Sequence, residues 1–159
     1  MFDFRETVRR AFTTLCCLAS VTLFCASASA QHLTPATATN AKQFVGIWKA
    51  SFQGNAFLTI ALHIDGNKIL GTVSHANIEL NNAGELTKAE ANDSEAPDPI
   101  TDLRVDGNIL RITTKSTDGS EDSIQAKLTL IAADDAELQM IVPPDVPAPK
   151  PWKLKRASA

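Results

Sequence analysis

Histidines, a run of carboxylates and three cysteines are the side chains whose types could support chemistry in this chain, and their spacing decides which. Cys16, Cys17 and Cys25 all fall within residues 1–30. Should that segment be removed, thiolate nucleophiles, Cys-ligated metals and disulfides go with it. His63 and His75 lie in the patterned part of the chain, and the hairpin between them places them on opposite faces of one sheet, so they cannot share a metal ion. His75 turns inward beside Leu58 and is the general-base candidate. No Gly-x-Ser-x-Gly elbow and no phosphate loop accompanies it. A lone interior imidazole is more simply a hydrogen-bonded structural residue, so the chain is read as a non-enzyme, with a hydrolase centred on His75 as an alternative. His32 sits in a Thr/Ala/Pro stretch as a solvated tail residue, with metal capture at a mature N-terminus as the sharper reading. Glu85, Glu90, Asp93, Glu95, Asp98 and Asp102 gather in one region, and hard cations want such clustered oxygens. The glycine-anchored alternation of an EF-hand loop is absent, which favours a solvated acidic loop. The expectation is therefore no metal and no cofactor. Asn92-Asp93-Ser94 is formally a glycosylation acceptor.

The elements that must position these groups are clearest over residues 44–75. Gly46, Trp48, Ala50 and Phe52 alternate with Ile47, Lys49 and Ser51, the period of a half-buried strand. Gln53-Gly54-Asn55 turns the chain. Leu58, Ile60, Leu62 and Ile64 then share a face, with Thr59, Ala61 and His63 on the other, and Asp65-Gly66-Asn67 makes a hairpin. With Gly66-Asn67 as its two-residue loop, Ile64 faces Ile69, Leu62 faces Gly71, Ile60 faces Val73 and Leu58 faces His75. A slip of one residue would set Thr72 and Ser74 against the apolar row, so the pattern selects its own register. Gly71 opposite the large Leu62 predicts a place where another group approaches closely, read here as room for a ligand.

Residues 1–30 read as a signal peptide: basic Arg5, Arg9 and Arg10, a 15-residue apolar stretch over 11–25, and the small-x-small site Ala28-Ser29-Ala30. The apolar stretch is shorter than the roughly 20 residues of a spanning helix, and bulky Phe24 before Cys25 argues against lipidation. Cleavage after Ala30 takes three Arg and two acidic residues, leaving 12 Lys and Arg against 16 Asp and Glu, a net charge of −4. That balance argues against nucleic acid and stable membrane insertion, since both call for basic or long apolar surface. Residues 31–42 are expected to be a flexible lead-in, and 43–157 a single β-barrel domain, exported to the periplasm or the exterior.

The second half repeats the first. Leu103 to Leu110 echoes Leu62 to Ile69 at an offset of 41 residues, again strand, Asp-Gly-Asn, strand. The same register sets Val105 opposite Leu110, Leu103 opposite Ile112, and Arg104 opposite Arg111, a like-charge pair that predicts Asp102 or another carboxylate nearby. Thr117-Asp118-Gly119-Ser120 turns into the alternating Ile124, Ala126, Leu128 and Leu130, and Asp134-Asp135 into Ala136, Leu138 and Met140. Five prolines over 142–151 impose an extended connector. Trp152, Leu154 and Arg156 then share one face of a last strand, which turns Arg156 inward. The fold class is all-β: an antiparallel meander barrel of about eight strands, with a β-sandwich as the alternative.

Gly46-Ile47-Trp48 on the first strand, the run of hairpins and an Arg at the end of the last strand resemble the calycin pattern of lipocalins, avidins and a class of bacterial metalloprotease inhibitors. That resemblance implies a barrel in which Trp48 packs at the closed end against Arg156, with Gly46, Trp48 and Arg156 as its structural signature. Residues 46–74 are also similar to the opening of avidins. Biotin recognition does not carry over, because no Trp lies between Trp48 and Trp152 and the chain has no Tyr. Over its whole exported length the chain resembles a family of small exported bacterial proteins, of uncharacterised activity, with this Gly-x-Trp start and a Pro-Trp-Lys-Leu-Lys end. The expected function is a non-enzymatic cell-envelope binding protein for a small apolar or amphipathic ligand, held by Leu58, Leu62, Gly71, Val73, His75 and Thr114. The alternative is a protein-interaction or inhibitor module that meets an envelope protein through its rim loops.

Overall fold

The computed structural model describes residues 33–90, 96–115, 123–144 and 148–157. Residues 1–30, where a signal peptide is expected, His32, the Asn92-Asp93-Ser94 acceptor expected in an acidic loop and the turn expected at Thr117-Asp118-Gly119-Ser120 lie outside the described residues.

The strands are β1 (Thr34–Pro35), β2 (Gly46–Phe52), β3 (Asn55–Asp65), β4 (Lys68–His75), β5 (Asn77–Leu80), β6 (Leu86–Glu90), β7 (Asp98–Asp106), β8 (Ile109–Lys115), β9 (Ser123–Ala132), β10 (Asp135–Ile141) and β11 (Trp152–Arg156), with a 3₁₀ turn over Lys42–Phe44. Eight of them close into an antiparallel barrel in the order β2-β3-β4-β7-β8-β9-β10-β11 and back to β2. Closure decides between barrel and sandwich, because β7 pairs β8 as well as β4 and so leaves no sheet edge there. β5 and β6 form a separate hairpin between β4 and β7.

The hairpin registers are those the alternation dictates. Leu58 faces His75, Ile60 faces Val73, Leu62 faces Gly71 and Ile64 faces Ile69; Leu103 faces Ile112, Arg104 faces Arg111 and Val105 faces Leu110. Asp102 bonds the Nε of Arg104 at 2.9 Å, easing the like-charge pair. In both Asp-Gly-Asn turns φ is positive at the glycine alone, 59° at Gly66 and 57° at Gly107, the sign pattern of the two-residue loop with Gly first that suits the right-handed twist of hairpins. Inward-facing Phe44, Trp48, Ile60, Leu110, Leu128 and Leu154 are the largest fully buried side chains.

One end of the barrel is plugged. The 3₁₀ turn places Phe44 under the first strand, and Trp48 Nε1 donates to the carbonyl of Phe44 at 2.8 Å. Arg156, paired in register with Trp48, lays its guanidinium 4.2 Å from the centre of the Trp48 ring. Its Nη2 donates to the carbonyls of Gln43 at 2.7 Å and Ala133 at 2.8 Å, its Nη1 to Val45, and its Nε lies 3.1 Å from Asp134. β2 and β11 share only two register pairs, Lys49 with Lys155 and Trp48 with Arg156. Arg156 therefore carries much of the seam between first and last strands. Gly46 admits it: at φ 133° a side chain there would be strained, and its Cβ would stand 3.0 Å from Nη1 of Arg156.

The segment before β2 makes contact with the barrel wall. Thr34 and Pro35 pair with Val105 and Arg104, Ala36 N–H donates to Leu103 O, and Thr37 bridges to Lys68. β4 and β7 meet at only two register pairs, Thr72 with Pro99 and Val73 with Asp98, so toward the plugged end an extended segment fits between them. Backbone hydrogen bonds of this kind need no apolar periodicity, so composition does not reveal them. Residues 34–38 of the expected lead-in thus lie hydrogen-bonded along β7 and the turn between β3 and β4.

Candidate functional site

The opposite end of the barrel, where β3 and β9 begin and β4 and β8 finish, holds an apolar cavity of about 150 Å³. Leu58, Ile60, Val73, Ile112 and Leu138 supply its aliphatic wall, turned inward by the period-two alternation of their strands, and Phe57 joins them because a bulge opposite Ala50 and Ser51 makes it the extra residue of β3. Trp152 stands edge-on to Phe57, ring centres 5.2 Å apart and planes at 89°, a favourable arrangement of the ring quadrupoles. The β5–β6 hairpin contributes Ile78, and Ala76 N–H, just before it, donates to Phe57 O at 2.7 Å.

Four residues bring polar atoms to this lining. His75 and Asp98 come from the facing ends of β4 and β7, with Nε2 of the imidazole 3.4 Å from Oδ2 of the carboxylate. Asp98 is 3% exposed, while the His75 side chain keeps 37% of its surface, so the pair spans the boundary between cavity and solvent. Thr114, on β8, is 4% exposed. Its Oγ1 and the indole Nε1 of Trp152 are both shielded from solvent and have no hydrogen-bond partner among the described residues.

Against these positions the expected binding residues divide. Leu58, Val73, His75 and Thr114 line the cavity; Leu62 and Gly71 do not. The room expected beside Gly71 is already filled. A Cβ built there would collide with the carbonyl oxygen of Ala61, and would stand 2.7 Å from Cδ2 of Leu62 and 3.1 Å from Cδ1 of Ile100. Gly71 is glycine because a neighbouring backbone and two core side chains press on it, the other meaning of a strand glycine. Asp98, Trp152, Phe57 and Ile78 were not read as site residues. Asp98 sits in loop-like Pro-rich composition, and Trp152 reaches the cavity only because closure makes neighbours of the two chain ends.

The mouth is bordered by a hairpin with a latch. Gly84 at the tip of β5–β6 accepts from Lys150 N–H at 2.8 Å, and Lys150 Nζ donates to Glu85 Oε1 at 2.7 Å. The Lys150 hydrogen bond, then that of Asn81, hold the Glu85 carboxyl below its ordinary value. The proline-rich connector thereby rests against the hairpin that supplies Ile78. Among the described residues no three His, Cys, Asp or Glu side chains converge so as to hold a metal ion.

The chain matches no protein-family model, no curated protein and no solved structure.

Proposed function

We propose that this is an exported, calycin-like barrel that binds a small apolar or amphipathic ligand at its open end without transforming it. The observation that carries the reading is the cavity: about 150 Å³ walled by Phe, Leu, Ile and Val side chains at one end of the barrel. An apolar cavity of about this volume admits a benzene-sized guest. A single aromatic ring or a short hydrocarbon chain is therefore the part that enters, and anything larger projects through the mouth. The calycin likeness is supported by the eight-strand closure and by Arg156 over Trp48. Export is supported by the basic, apolar and small-residue succession of residues 1–30; an exported form whose intact mass begins at Gln31 is expected, and one that retains Met1 would overturn it.

Native mass spectrometry and thermal shift against small aromatics and short-chain lipids test the binding reading. A bound adduct and a rise in melting temperature that grows with ligand concentration are expected, since a ligand at about 100 times its Kd stabilises by about 2.7 kcal/mol. No adduct and no shift across the panel would overturn it.

The contact between His75 and Asp98 supports a second reading, a hydrolase in which the carboxylate orients the imidazole as base. The two readings part on His75→Ala. On the hydrolase reading the purified protein hydrolyses simple esters and His75→Ala abolishes that activity, whereas on the binding reading the parent protein shows no ester hydrolysis to lose.

A further inference from the structure

We infer that the β5–β6 hairpin is a flap over the cavity, strapped down by residues 148–150, and that releasing the strap enlarges the site for guests larger than a single ring. The inference rests on the cavity being a binding site, as proposed above. The hairpin is a separate two-stranded sheet, hydrogen-bonded within itself and not into the barrel sheet. Its two faces differ. Ile78 and Ala89, opposite each other in register, pack with Leu86 against the barrel core, and Ile78 reaches the cavity. The other face carries Glu79, Lys88 and Glu90, joined through Lys88 Nζ at 3.2 and 2.9 Å, and it meets water whether the hairpin is down or raised. Among the described residues, the hydrogen bonds that tie residues 77–90 to the rest of the chain both come from Lys150, its N–H on the Gly84 carbonyl and its Nζ on Glu85. At Gly84 the strap lies so close that a Cβ would stand 2.6 Å from the carbonyl oxygen of Ala148 and 3.3 Å from the nitrogen of Lys150, and φ there is 73°. Two residues beyond Lys150 the chain becomes Trp152, itself on the cavity wall, so the strap runs straight into the site. A hairpin held by two hydrogen bonds and three part-buried apolar side chains, beside strands paired on both sides, belongs to the low-stability end from which lids are drawn. The cavity has room for one ring. With the hairpin down a second ring stays in the mouth; with it raised, that ring lies against Ile78, Leu86 and Ala89.

Toluene and 1-methylnaphthalene, neutral arenes of one and two rings, are titrated by calorimetry into the purified protein and two variants. Lys150→Pro removes both strap bonds at once, in a stretch already rich in proline; Gly84→Ala sets a methyl against the strap backbone. Each variant is expected to raise the affinity for 1-methylnaphthalene about fivefold or more, because the strap no longer has to be broken to admit it, while toluene affinity stays within about twofold. The parent protein gives the reciprocal readout with no substitution at all. Hydrogen exchange at its Lys150 amide is expected to speed up about fivefold or more at saturating 1-methylnaphthalene and to be unaltered by toluene. An unchanged ratio of two-ring to one-ring affinity in both variants, with Lys150 exchange indifferent to 1-methylnaphthalene, would overturn the flap and leave the small apolar site standing. Affinities for both arenes shifting together in the variants would overturn it too, the hairpin then being a fixed part of the wall. Failure of both arenes to bind the parent and the variants would remove the binding reading itself, and this inference with it.

Discussion

Arg156 and Gly71 are the two residues whose surroundings make the sharpest statements about the barrel. Arg156 serves as a cation over Trp48, a donor to carbonyls of Gln43, Val45 and Ala133, and a partner of Asp134, all at the seam where the first and last strands share two register pairs. The ring contact alone is worth roughly 0.5–2 kcal/mol, and truncation also strands carbonyls in a partly buried place. Arg156→Ala should therefore lower stability by about 2–4 kcal/mol in urea titration, and Arg156→Lys should recover less than half of that loss, because a point charge cannot serve three directions at once. An unchanged urea midpoint for Arg156→Ala would mean the seam is held by other groups. At Gly71 even a methyl meets the Ala61 carbonyl and Leu62, so Gly71→Ala should destabilise by about 1–3 kcal/mol. It should leave ligand affinity per folded molecule unaltered, since the cavity lies elsewhere. A neutral melting temperature for Gly71→Ala would contradict this packing.

At the scale of elements, strand pairing was legible and cavity placement was not. Alternation of period two together with two Asp-Gly-Asn turns determined the pairing of β3 with β4 and of β7 with β8 residue by residue, because any slip would have turned an apolar row to solvent. Those rules are local. The cavity depends on which side chains from non-adjacent strands meet across the barrel, so His75 and Thr114 could be turned inward from the pattern while Asp98 and Trp152 were not associated with them. The pairing of Thr34 and Pro35 with a strand about 70 positions away is non-local in the same way. The latch of the β5–β6 hairpin on Lys150 is another non-local contact, and it carries a pH dependence. Glu85 titrates below its ordinary value in the folded chain, so its pairing with Lys150 is fully present above the unfolded carboxyl value. It is lost as pH falls through the lowered folded one. Hydrogen exchange at the Lys150 amide, corrected for its intrinsic pH dependence, should rise on acidification through that range, and at neutral pH in Glu85→Gln. The global melting temperature at neutral pH should barely move in that variant, as befits an exposed pair. Protection at Lys150 indifferent to both changes would show that the backbone bond to Gly84 holds the connector unaided.

Across the whole molecule the barrel is asymmetric along its axis. One end is sealed by the 3₁₀ turn, Phe44, Trp48 and Arg156; the other keeps a small apolar space rimmed by His75, Asp98 and the latched hairpin. The chain's two tryptophans, one at each end, make this asymmetry directly observable. Trp48 Nε1–H is tied to the Phe44 carbonyl at 2.8 Å, whereas Trp152 stands on the cavity wall and its Nε1–H has no acceptor among the described residues. The decisive measurement is a ¹⁵N–¹H correlation spectrum of the purified protein, followed through its two indole resonances as a saturating small arene such as benzaldehyde is added. The account predicts that the Trp152 indole resonance moves, together with the amides of Val73, Ile78 and Thr114, while that of Trp48 stays in place. Indole resonances both unmoved by every small apolar ligand at saturation, or movement of Trp48 with Trp152 unchanged, would contradict a ligand site at the open end of the barrel.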